Sequence, residues 1–144
     1  MLKLLIATVT LAALCAAPAA GAKEQSFKPS KSGQIEFMTP SGNIGCLYTP
    51  EGGTDVYDPL DGGPELICDR VEPDYVRVIL GPEVEAEAIF DPGEQPCCSG
   101  PKFNYDNELE LDGFICHSET TGLVCQTTNG EHGFLMSKAH IVTY

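Results

Sequence analysis

The sequence predicts an all-β fold: a small antiparallel sandwich or open barrel, stapled by disulfides, with a C-terminal three-stranded meander. Three observations carry that reading. Short runs alternate apolar and polar residues with a period of two, and Gly, Pro and Asn clusters bound them; no long segment carries the helical period. Residues 113–138 (GFICHSETTGLVCQTTNGEHGFLMSK) hold two hairpin turns and a cysteine pair that agree on one register. Beyond the N-terminal leader the chain keeps six cysteines, an even number that points to disulfides in an oxidising compartment.

In residues 113–118, Phe114, Cys116 and Ser118 alternate with Ile115 and His117. Residues 119–122 (ETTG) fit a four-residue hairpin loop, closed by a glycine able to take a positive φ. Closing that loop sets Ser118 against Leu123 and Cys116 against Cys125. Opposed Cβ atoms lie about 4.5–5.5 Å apart, within reach of a cross-strand disulfide. Asn129-Gly130 is the strongest short hairpin signal. A two-residue turn there sets Phe134 against Cys125 and Met136 against Leu123. One face then carries Phe114, Cys116, Leu123, Cys125, His132, Phe134 and Met136.

The rest of the chain follows in order. Residues 1–22 read as a signal peptide: one charge at Lys3, an apolar run over 4–17, and Ala20-Gly21-Ala22 as the cleavage signal. Leu14 stands before Cys15 where a lipoprotein signal needs a small residue, so cleavage is expected after Ala22. Residues 23–33 (KEQSFKPSKSG) are polar and read as a flexible N-terminal arm. A single β domain is expected over 34–144. Ile35 and Phe37 mark a first strand, residues 39–43 (TPSGN) a turn, and residues 44–48 a second strand. Residues 49–64 form a loop rich in Gly, Pro and Asp. Residues 65–70 (ELICDR) return as a strand, and pairing with 44–48 brings Cys46 to Cys68. Residues 75–80 (YVRVIL) are a β-branched strand bounded by Pro73 and Gly81-Pro82. Residues 84–90 alternate as a strand although Glu and Ala favour helix. Residues 91–101 are a constrained loop, 103–111 a further strand, and 141–144 an edge strand.

Charge narrows the partners. The whole chain carries 8 basic and 21 acidic side chains, a net charge of −13. Loss of Lys3 with the leader leaves −14. Such a surface repels phosphate, which argues against nucleic acid and anionic lipid. The expected partner is an unidentified protein or small molecule, with no stable membrane insertion once the leader is gone. Export places the chain in the periplasm or outside the cell.

No motif assigns a reaction. There is no Gly-x-Ser-x-Gly elbow, Walker loop or His-Glu-x-x-His. His117, His132 and His140 lack metal-ligand spacing, and Asp55, Asp58 and Asp61 do not follow the EF-hand pattern; they read as a solvated acidic loop. No catalytic residue, metal or cofactor is therefore assigned.

Cys97-Cys98 is the unusual feature. With Cys46–Cys68 and Cys116–Cys125 paired, these two remain for each other. Adjacent Cα atoms lie about 3.8 Å apart across a trans peptide, below the usual disulfide window, so a bond between neighbours would be strained and easily reduced. The pair is a candidate ligand-contacting or redox loop. A rigid staple, or bridges to distant partners, are the other readings.

Taken together, FMTPSGNIGC over residues 37–46, Cys68-Asp69, FICHS over 114–118, TGLVC over 121–125, His132-Gly133-Phe134 and Ser137-Lys138 carry a resemblance. The chain resembles a bacterial family of small exported domains of unknown function over most of residues 37–144. The resemblance implies export and a cysteine-stapled β domain, and it implies no reaction. The family pattern separates its middle cysteines, whereas here they are adjacent. The leading expectation is a non-enzymatic binding or envelope-associated structural domain. The alternatives are a secreted hydrolase, or a redox- or metal-responsive module at Cys97-Cys98.

Overall fold

A computed structural model describes residues 21–144, so nearly all of the expected leader (residues 1–20) lies outside the described residues. The described chain is all-β. Its strands are β1 (Lys23–Glu24), β2 (Ile35–Met38), β3 (Ile44–Thr49), β4 (Glu65–Arg70), β5 (Val76–Leu80), β6 (Glu87–Phe90), β7 (Asn107–Leu111), β8 (Phe114–Glu119), β9 (Gly122–Thr127), β10 (Gly133–Met136) and β11 (Ile141–Thr143). They form two sheets, ordered β2-β3-β4-β5-β6 and β1-β7-β8-β9-β10-β11. Each sheet is a five-stranded antiparallel meander; β1 adds to the second in parallel. The arrangement is a sandwich and not a closed barrel.

Alternation explains the packing. In β3, Ile44, Cys46 and Tyr48 point inward; in β5, Val76, Val78 and Leu80 do the same. In the second sheet, Phe114, Cys116, Leu123, Cys125, Phe134 and Met136 are fully buried. These inner faces meet in one hydrophobic core. The register of β8, β9 and β10 pairs Cys116 with Cys125, Phe134 with Cys125 and Met136 with Leu123. The β8–β9 turn is tighter than a four-residue loop: Glu119 pairs with Gly122, leaving two residues between. The pairing parity is the same either way, so the faces are unchanged.

Each meander is stapled between its second and third strands. Cys46–Cys68 joins β3 to β4 and Cys116–Cys125 joins β8 to β9, each with Cα atoms 4.1 Å apart. Closing each loop contributes about 2–4 kcal/mol. The shared topology aligns β3 with β8. The sequence echo between SGNIGC (41–46) and TGLVC (121–125) instead aligns β3 with β9. The echo is therefore one strand out of step with the topology, a recurring turn-into-strand solution and not a duplicated unit.

Three elements differ from the sequence reading. The segment 23–33, expected as a flexible arm, lies along the domain. Lys23 and Glu24 pair with Asn107 and Glu108, and Gln25 N donates to Glu108 O at 2.8 Å. The Phe27 ring stacks on Phe37 with centroids 5.6 Å apart. Its backbone bonds and one aromatic ring outweigh its polar composition. The strand predicted over 84–90 shrinks to Glu87–Phe90, because Ala86 N turns to Tyr144 O in the other sheet. The strand predicted from 103 starts at Asn107, because residues 101–103 serve the first sheet. Met38 N donates to Pro101 O and Phe103 N donates to Met38 O, laying the crossover along the β2 edge.

One buried carboxylate sits far from that crossover, beside the 49–64 loop. Glu65 is 8% exposed and accepts the Tyr57 hydroxyl at 2.7 Å. Burial raises the Glu65 pKa, and Asp61 adds to the rise. Burial and the bond to Glu65 push Tyr57 up to about 12. A raised folded-state pKa means the folded protein holds this proton longer than the unfolded chain. Stability from this group therefore falls as pH rises from the ordinary carboxylate range through the raised value. Glu65→Gln keeps an acceptor for Tyr57 and removes the titration. The thermal midpoint of E65Q should exceed that of the parent at pH 7 and lose this advantage near pH 4. A constant difference across that range would show that titration of Glu65 is not responsible, and the same profile in the exposed-site control Glu110→Gln would show that net charge alone is.

Candidate functional site

Strand direction places the site. In an antiparallel meander, alternate turns share one end of the sheet. Thus the β2–β3 and β4–β5 turns lie together, as do the β8–β9 and β10–β11 turns. β6 ends and β7 begins at that same end, so the crossover at 91–106 also passes there. These five segments enclose an open groove of about 710 Å³. Ser41 and Asn43 come from the first turn, Val71 and Glu72 from the second, Thr120 and Thr121 from the third, and Lys138 from the fourth. The crossover contributes Cys97, Cys98 and Tyr105. A second depression of about 380 Å³ shares Glu119, Thr120 and Thr121 and extends to Asp106 and His117.

The walls are cross-braced. Asn43 clamps the neighbouring turn in both directions: its Nδ2 donates to Glu72 O at 3.0 Å, and Glu72 N donates to its Oδ1 at 2.8 Å. Arg70 is 5% exposed and ties the sheets together. Its Nη1 donates to Ser137 O at 2.9 Å, while Nε and Nη2 donate to Asp74 O. A buried cation satisfied by carbonyls fixes the two turns relative to each other. The crossover is tied to β8 by Asp106 N donating to Ser118 O at 2.7 Å and Ser118 Oγ donating to Phe103 O at 3.0 Å.

Cys97 and Cys98 are bonded to each other, with Cα atoms 3.0 Å apart and a cis peptide between them. The trans spacing assumed from the sequence does not apply. The pair is docked by a polar chain. Cys97 N donates to the Tyr75 hydroxyl at 3.0 Å, and Tyr75 in turn donates to Asp69 Oδ2 at 2.6 Å. Arg77 holds the same carboxylate with two bonds, at 2.8 and 2.9 Å. Burial raises the Tyr75 pKa, and its bond to Asp69 adds to that. The bond to Asp69 raises Arg77 further. This network keeps the hydroxyl protonated, and so keeps it a donor to Asp69 and an acceptor for Cys97.

Gly45 explains why the disulfide can lie where it does. A Cβ there would stand 2.8 Å from Cys98 Cβ, 3.0 Å from Cys98 Sγ and 3.1 Å from Cys97 Sγ. The bare β3 backbone at Gly45 thus receives the disulfide as a flat ledge of the groove wall. Cys97 and Cys98 are half-buried, whereas Cys46, Cys68, Cys116 and Cys125 are at most 5% exposed.

Of the residues singled out from sequence, Cys97 and Cys98 reach the groove, and the other cysteines lie in the core. Asp55, Asp58 and Asp61 lie on the loop at the opposite end. His117 lines the second depression, and its Nδ1 meets Glu108 Oε2 at 3.5 Å. Among the described residues no three His, Cys, Asp or Glu side chains converge as a metal site. The sequence reading missed Glu72, Tyr105, Thr120 and Lys138 as site residues. Each sits in a turn or crossover, and the groove exists only once both sheets are assembled. No protein-family model, curated protein or solved structure matches the chain.

Proposed function

We propose that this chain is a bacterial binding or envelope-supporting domain, exported and non-enzymatic, and that the groove is its contact surface. The proposal extends to membership of the family of small exported domains that the sequence resembles. One observation carries it. Three of the segments behind that resemblance, TPSGN, Thr121-Gly122 and Ser137-Lys138, are distant in sequence yet meet at one groove, with Cys97-Cys98 as its ledge. The buried Arg70 bond to Ser137 O and the Asn43 bond to Glu72 O brace three of the four turns, which supports a preformed surface. Three disulfides are compatible with an oxidising compartment. No helix among the described residues is long and apolar enough to cross a membrane. Cys97-Cys98 is read here as ligand-contacting.

The test is site-specific photo-crosslinking in bacteria, with the full chain expressed and the exported form recovered. A photoreactive residue at Thr120 should give a discrete adduct that Lys138→Ala diminishes. The same residue at Leu60, fully exposed on the 49–64 loop, should give none. Retention of an uncleaved chain in the cytoplasm, or equal labelling from both positions, would overturn the proposal.

A further inference from the structure

We infer that the groove takes a neutral oligosaccharide strand; this rests on the groove being the contact surface. Glu72, Glu119 and Asp106 border the two neighbouring depressions, and the chain is strongly acidic, so an anionic ligand is repelled. Large exposed apolar side chains are scarce there; Val71, 38% exposed, is the one in the groove lining, which excludes a lipid-like ligand. No residue of the edge strands β1, β2, β6 or β11 lines the groove, so an extended peptide finds no ladder there to join.

A sugar chain fits what remains. Its hydroxyls donate and accept, and the groove offers both functions within a short span. The Glu119 carboxylate accepts from Thr121 Oγ1 at 3.2 Å and keeps other lone pairs open. Lys138 Nζ lies 3.8 Å from Glu72 Oε2, too long for a strong bond, so both groups retain capacity. Tyr105 and the Cys97-Cys98 ledge supply the flat apolar surfaces against which the C–H face of a pyranose can pack. The two depressions share Glu119, Thr120 and Thr121 of the β8–β9 turn, so the same polar groups are presented on both sides of it.

Amide chemical-shift mapping on the exported, disulfide-intact protein tests this. The probes are the tetramer of N-acetylglucosamine, cellotetraose and, as the competing class, pentalysine. At least one sugar should shift the amides of Gly42, Cys98, Thr120 and Thr121 on a single isotherm. Glu119→Gln and Lys138→Ala, both at exposed positions, should each weaken it about tenfold with a dispersed spectrum retained. Sugar shifts absent or centred outside the groove would overturn the glycan assignment. Groove shifts with pentalysine alone would overturn it too, while leaving the groove a binding surface. Failure of the crosslinking at Thr120, by contrast, removes the contact surface itself.

Discussion

Gly133→Ala is expected to destabilise the domain by about 3 kcal/mol or more and to lower its thermal midpoint by roughly 10 °C. Strand propensity alone predicts the opposite sign, since glycine inside a strand costs about 0.5–1 kcal/mol relative to alanine. Close approach decides the matter. A Cβ at Gly133 would lie 2.6 Å from Cys125 O, 2.7 Å from the Tyr144 hydroxyl and 2.8 Å from Tyr144 Cζ. The tyrosine ring could swing away. The Cys125 carbonyl cannot, because its strand is paired on both sides and Cys125 is bonded to Cys116. Gly133 also exchanges two backbone hydrogen bonds with Tyr144, at 2.9 and 3.0 Å, so Tyr144 is locked at the point of conflict. Thermal unfolding of G133A and of G133A combined with Tyr144→Ala separates the two obstacles. Little recovery in the double variant identifies the carbonyl as the obstacle. Full recovery would place it on the ring and refute this account.

The same residue shows what can be read from a sequence. His132-Gly133-Phe134 marks the start of β10, and Asn129-Gly130 fixes its register, because a two-residue turn leaves one pairing that keeps Phe134 and Met136 inside. Cys116 and Cys125 satisfy the same parity, so local signals are enough for the β8–β9–β10 meander, though not for β1 or the start of β7. Cys46 and Cys68 repeat this across a longer loop, where the alternation in 65–70 supplies the register. The groove was within reach by the same logic. Once strands are counted in a meander, parity places TPSGN and the β4–β5 turn at one end. It also places Thr120-Thr121 with Ser137-Lys138. Which end of one sheet faces which end of the other depends on the crossover, and its path follows backbone bonds from Met38 to Pro101 and Phe103. Side-chain pattern carries no record of those bonds. For the same reason the docking of Cys97-Cys98 on Gly45 was not legible: it joins residues more than fifty positions apart through a missing side chain.

Phe37→Ala is expected to cost about 3–5 kcal/mol and to release the N-terminal segment as well. Phe37 is fully buried, and its ring meets Phe27 in a stack and Phe103 edge-on, both at 5.6 Å. Phe27 also meets Phe103 edge-on at 6.2 Å. Three rings from the N-terminal segment, the first sheet and the crossover thus close the seam beside β2. Removing the middle ring leaves a cavity and strips both neighbours of a partner. Phe27→Ala acts on the same cluster from its half-buried side, so it should cost less and leave the sandwich intact. Its mark is local: the Gln25 amide, which donates to Glu108 O, should lose protection from hydrogen exchange while the core amides of β8 and β9 keep theirs. The ordering matters more than either value. Phe27→Ala with no effect on stability or on Gln25 protection would return residues 23–33 to the status of a tether. A measurable loss confined to that segment would make it a working part of the domain, held by one aromatic ring, a short run of parallel pairing and the Gln25 side chain, which bonds Lys102 O, Asn104 N and Asn107 Nδ2.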